Sequence, residues 1–335
     1  MTATPAVSGY KQHDSRRLAH VAGLLLVLTV FSTGVFAGDW APPGFPGDGE
    51  YTRASNTGGI VNTRHNLTQS FITSGLGFAM NAYRNQYSQV CVYCHTPHGA
   101  SEQLQAPLWN RTVNPASAYT TYSSQSLSQV AASPGDASLT CLSCHDGSLP
   151  VDSVINMPGS GLYSKAQETQ VSDSFLNAWD NPVSFLDMGF GTNCGNSPCF
   201  HSALGAEGNT GQQGGTCMEC HDNNNQFGIP EFSAFIIGTD LGNDHPVGVQ
   251  YPNPDIHDFQ PGLISLNGIA FFDLDGDGRP DSNEIRLYDS GGGARVECAS
   301  CHDPHGVDQG DGRLIPSFLR VISDNSTICL SCHVK

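Results

Sequence analysis

The chain has 335 residues, 14 basic against 31 acidic, for a formal net charge of −17. Such a surface repels nucleic acid and anionic lipid heads, arguing against both as partners, and suits cationic partners or metal ions instead. Apolar residues make up only 38%, beside 38 Gly and 20 Pro, which is too little aliphatic mass for a conventional core and implies many turns.

Residues 1–37 read as a secretory signal. Lys11, Arg16 and Arg17 form a basic start, Val21 to Phe31 an apolar run, and Val35-Phe36-Ala37 a small-residue cleavage site. The run is short for a membrane anchor, and nothing else in the chain could cross a bilayer. The mature chain is therefore expected to begin near Gly38, outside the cell or at its surface, with the periplasm as the alternative.

All 12 cysteines follow this segment, and ten of them form five copies of one pattern. These are Cys91-x-x-Cys94-His95, Cys141-x-x-Cys144-His145, Cys217-x-x-Cys220-His221, Cys298-x-x-Cys301-His302 and Cys329-x-x-Cys332-His333. C-x-x-C-H is the attachment pattern of c-type haem. Thiols at i and i+3 share one side of a helical turn and can form thioether bonds to two vinyl groups. The adjoining histidine then sits under the iron as proximal ligand. Zinc needs four ligands per ion and no histidine after every second cysteine. Disulfides would suit an exported chain but leave five histidines unexplained. Five covalent haems are expected, and as large apolar discs they would replace the missing aliphatic core.

Of 13 histidines, six remain once the five proximal ones and His13 and His20 are set aside: His65, His98, His201, His245, His257 and His305. Five are enough to give every iron a second histidine. His98 and His305 each lie three residues beyond a proximal histidine. Neither can easily reach round its own porphyrin, so each should ligate a neighbouring haem. His65 and His245 are the other expected distal ligands.

A repeat follows from these positions. Residues 38–188 hold two haem sites with His65 and His98, and 229–335 hold two with His245 and His305. Each reads as a dihaem module. Between them, 189–228 reads as an insertion carrying the site at 217–221. Within it, Cys194 and Cys199 have the wrong spacing for ordinary haem attachment. A disulfide that presents His201 to the inserted haem is favoured over a sixth haem, with His257 as the competing ligand.

In the second module, 273–284 matches the spacing D-x-[DN]-x-[DN]-G-x5-E of a Ca²⁺ loop. Asp273, Asp275, Asp277, Asp281 and Glu284 supply carboxylates, and Arg279 sits where a backbone carbonyl serves. The flanks are β-like, so a structural Ca²⁺ loop in a β-hairpin is expected rather than a regulatory EF-hand; the alternative is an empty acidic turn.

The run HNL, CVYCHTPH, CLSCHDG, DHP, CASCHDPH, CLSCH resembles exported multihaem c-type cytochromes with doubled CXXCH motifs. It is similar to the OmcE-type tetrahaem cytochromes that polymerise into extracellular filaments. The resemblance covers most of 60–335. It implies an irregular, loop-rich fold with short helices at the haem sites, a few β-hairpins and a haem stack as core. It also implies bis-histidine haems throughout, end-to-end contact between identical subunits, and exchange with other redox proteins or extracellular acceptors. The site at 217–221 and the Cys194/Cys199 loop depart from the family pattern. Electron transport without substrate chemistry is the expected function, in a filament or as a soluble shuttle. A reductase would need an open iron, and the histidine supply argues against one.

Overall fold

The computed structural model describes residues 54–68, 89–127, 129–156, 203–205, 217–221, 233–255 and 257–334, without the side chains of Glu219 and Cys220. All of them lie in the unit Trp40–Lys335. The signal at 1–37, Cys194, Cys199 and His201 fall outside the described residues.

Loops dominate, as the Gly and Pro content requires. Among the described residues only one helix exceeds a single turn: α1, Asp136–His145. The others are α2 (Met218–His221), α3 (Cys298–Cys301) and α4 (Thr327–Leu330), with isolated 3-10 turns such as Val90–Tyr93. No helix among the described residues is long and apolar enough to cross a membrane.

Two strands, β1 (Thr120–Thr121) and β2 (Asp240–Leu241), pair in parallel. The other five strands among the described residues form an antiparallel sheet: β3 (Val249–Gln250), β4 (Ile264–Leu266), β5 (Ile269–Phe271), β6 (Arg286–Asp289) and β7 (Ala294–Val296), in the order β3-β7-β6-β5-β4. Asn267-Gly268 joins β4 to β5, both with positive φ (51° and 81°), as a two-residue hairpin requires. β5 and β6 are the arms of the hairpin expected around the acidic loop. β7 runs directly into Glu297, the residue that begins α3.

Among the described residues, buried apolar side chains gather in two clusters. Leu104, Tyr119, Leu139, Leu142 and Leu241 cluster about α1, and Val92, Tyr93 and Val154 about the first C-x-x-C-H turn. Polar ties link distant parts of the chain. The Gly58 N–H donates to Gly312 O, the Leu314 N–H to Asn56 O and the Ile237 N–H to His145 O. The two stretches that read as modules are thus joined by hydrogen bonds at several points.

Candidate functional site

The five C-x-x-C-H stretches adopt one local shape. At four of them the histidine N–H closes a turn onto the carbonyl of the first cysteine: His95 to Cys91 (2.7 Å), His221 to Cys217 (2.9 Å), His302 to Cys298 (3.1 Å) and His333 to Cys329 (2.9 Å). The fifth, Cys141 to His145, forms the last turns of α1. Such a turn sets residues i and i+3 side by side.

Three proximal histidines are held in the same way. Nδ1 of His95 lies 2.9 Å from Pro107 O, that of His145 2.6 Å from Phe235 O, and that of His302 2.8 Å from Ser317 O. A carbonyl can only accept, so Nδ1 carries the proton and Nε2 is the nitrogen able to bind a metal. This is the usual support of a metal-bound imidazole.

The chain also brings some predicted distal ligands to these sites. His65 is half-buried, with Nδ1 3.1 Å from Pro304 O and its ring 4.3 Å from that of Phe318 and 6.1 Å from that of His145. The His305 ring lies 6.2 Å from His95, and its Nδ1 lies 2.9 Å from a carboxylate oxygen of Asp303. Burial, and then the neighbouring His145, lower the His65 pKa to about 4, so the ring is neutral, as a ligand must be. Burial also lowers His145. The hydrogen bond to Asp303 raises His305. Asp303 is fixed in turn by Arg320, whose guanidinium also donates to Ala299 O and Ser282 O.

His98 and His245 are exposed, and His245 Nδ1 lies 3.2 Å from the neighbouring Pro246 O. His257 lies beside the last site. Phe259 bridges His333, and the Gln260 N–H donates to Cys332 O.

The thiols of Cys94, Cys141 and Cys332 are partly buried. Burial, followed by the neighbouring Cys144, pushes Cys94 up to about 12; burial and Cys301 do the same to Cys332. Cys141 is raised by its hydrogen bond with Cys298 and by burial. The same hydrogen bond lowers Cys298, its partner.

The attachment turns adjoin one another in space. Cys94 feels Cys144, Cys141 touches Cys298, and Cys301 feels Cys329. The order of neighbours is therefore 91–95, 141–145, 298–302, 329–333. The remaining turn, at 217–221, hangs from 203–205, where the Cys217 N–H donates to Ala203 O; Ala203 bridges Pro150, just beyond α1.

Two features carried no sequence signal. Arg111 is fully buried, and its guanidinium donates to Ser143 O, Pro150 O and Val151 O, clamping the segment after α1 onto the second C-x-x-C-H turn. The indole N–H of Trp109 is buried without a protein partner, while its ring packs edge-on against His95 at 5.6 Å. An orphaned donor beside a proximal histidine fits an acceptor carried by a bound group, such as a haem propionate. The donor set and its surroundings thus fit haem at this site.

In the acidic loop, Asp273, Asp275 and Asp277 bring carboxylate oxygens within 4.8 Å of one another. The Asp273 carboxylate accepts the N–H groups of Gly276 and Gly278. Glu284 is buried and accepts those of Leu274 and Asp281. Arg279 donates its own N–H to Asp277.

No curated protein matches the chain. Residues 292–335 match a family model described as the doubled CXXCH motif. That motif, on turns of this shape, supports a c-type multihaem cytochrome that transfers electrons.

Proposed function

We propose that the chain is an exported pentahaem carrier that passes electrons along a continuous row of bis-histidine haems and polymerises end to end into an extracellular filament. The observation that carries this reading is the common shape of the five C-x-x-C-H turns. At 91–95, 141–145 and 298–302, each proximal ring also donates from Nδ1 to a backbone carbonyl. Cys91, Cys94, Cys141, Cys144, Cys217, Cys220, Cys298, Cys301, Cys329 and Cys332 hold the porphyrins. His95, His145, His221, His302 and His333 bind from one face, and His65, His98, His201, His245 and His305 from the other.

Haem iron, once bound, supplies a reversible one-electron couple. The protein's part is to fix distances and orientation. The adjoining turns support a row running from the first site through the second and fourth to the fifth, with the third beside the second. Exposed His98 and His245 are free to meet a neighbouring copy. The loop 273–284 is assigned to Ca²⁺, which would stiffen the strand pair leading to α3. Its support is the convergence of Asp273, Asp275 and Asp277.

Electron cryo-microscopy of the secreted, haem-loaded protein tests the proposal. Filaments with five haems per repeat are expected. Discrete particles with five haems would remove the polymer and leave a soluble carrier.

A further inference from the structure

Two pairs of histidine rings share a separation but not an angle. His95 and His305 have centroids 6.2 Å apart with planes 11° from parallel. His65 and His145 lie 6.1 Å apart with planes at 81°. Aromatic rings in direct contact span roughly 4.5–7 Å between centroids, so it is the equal separation at opposite plane angles, together with the shared use of Nδ1, that points to a common cause. His65 and Phe318, tilted by 31°, close to 4.3 Å.

A shared metal explains both pairs. A metal–imidazole nitrogen bond is about 2.0–2.1 Å, and that nitrogen lies roughly 1.1 Å from its ring centre, so two rings on opposite faces of one metal sit about 6.3 Å apart. Rotating one ring about the nitrogen–metal–nitrogen axis changes the angle between planes and leaves the separation alone. The hydrogen bonds agree. All four rings engage Nδ1, with Pro107 O, Asp303, Pro304 O and Phe235 O, so all four offer Nε2.

Resting on the multihaem reading above, we infer that His305 is the second axial ligand of the haem at 91–95 and His65 that of the haem at 141–145. The first pair is held near coplanar and the second near perpendicular. His305 thus reaches from the fourth C-x-x-C-H stretch to the first. His65 is positioned by the carbonyl of Pro304, the residue before His305. The two ligands form one unit, and each iron is completed by a different part of the chain.

The plane angle has a magnetic signature. Near-coplanar imidazoles give low-spin ferric haem a rhombic paramagnetic resonance spectrum; perpendicular ones give a strongly anisotropic spectrum with one large g value. Low-temperature spectra of the oxidised full-length holoprotein should contain both components. His305→Ala should remove one rhombic component per chain and create one high-spin haem, reversed by added imidazole. His65→Ala should remove one component of the large-g type in the same way. A variant that loses the other component, or neither, overturns the assignment.

A density map of the unmutated holoprotein gives a second test that needs no variant. It should show His95 with His305, and His65 with His145, each pair on one iron; any other pairing refutes the inference. If the chain's mass shows no attached haem, the cytochrome reading fails and the pairing falls with it. Haem attached but otherwise paired overturns the pairing alone.

Discussion

The carboxylate of Glu297, the residue that begins α3, accepts the backbone N–H of Gly135, the residue that begins α1, at 3.0 Å. The same carboxylate accepts the Ser138 hydroxyl, and Ser300 completes a capping box at α3. One buried acid therefore organises the starts of two helices that each carry a haem site. Its charge has a cost. Burial raises the Glu297 pKa, although the bonds from Ser138 and Gly135 oppose the shift.

A carboxyl raised on folding stabilises the fold fully below its unfolded pKa and loses that contribution as pH climbs through the folded value. Glu297→Gln keeps an acceptor and cannot ionise. As pH rises above the ordinary glutamate value of about 4.3, the thermal midpoint of the wild type should fall relative to that of Glu297→Gln. Thermal unfolding followed by the Soret band at several pH values measures this. A constant gap between the two midpoints would contradict the assigned cause.

Gly147 ends α1 with φ +77°, and a side chain there would meet the backbone of Gly205 at 3.0 Å. Gly147→Ala should cost on the order of 1–2 kcal/mol from the left-handed backbone alone. It should also displace 203–205, from which the turn at 217–221 hangs. Denaturant titration gives the first effect. Selective loss of haem from the peptide containing Cys217, read by mass spectrometry, gives the second.

Arg111→Ala would strand the carbonyls of Ser143, Pro150 and Val151 in a dry interior. The expected loss is about 3 kcal/mol or more. Because the guanidinium clamps the turn at 141–145, haem content at that site should fall together with stability. Arg111→Lys should rescue only part of this, since one ammonium cannot reproduce the planar fork. Equilibrium unfolding and per-site haem analysis check both statements.

Calcium should raise the thermal midpoint of the holoprotein, and a chelator should reverse the gain. At a free concentration of 100 times Kd the stabilisation is about 2.7 kcal/mol. Asp273→Asn with Asp275→Asn should abolish the response without changing haem content. A calcium-independent midpoint in the wild type would mean that the loop is an acidic turn held by its own N–H bonds.

Local patterns were legible in the sequence, and long-range meetings were not. The C-x-x-C-H turns and the hairpin around 273–284 depend on neighbours a few residues away, so spacing was enough to foresee them. His98 and His305 looked equivalent, each three residues after a proximal histidine. The structure separates them through one intervening residue. Asp303 can accept from the His305 ring, whereas Thr96 spends its hydroxyl on the carbonyl of His98. Arg111 gave no signal because its partners are carbonyls, which every residue has. The segment of His257 lies against the turn at 329–333, where Phe259 bridges His333; only the folded chain makes that proximity visible.

The crossing of His305 to His95 also sets a schedule. Three further C-x-x-C-H turns lie between His95 and His305 along the chain, so the first turn cannot meet that ring until all three have been made. A chain that stops before His305 therefore carries an incomplete first site, however well its own first turn is formed.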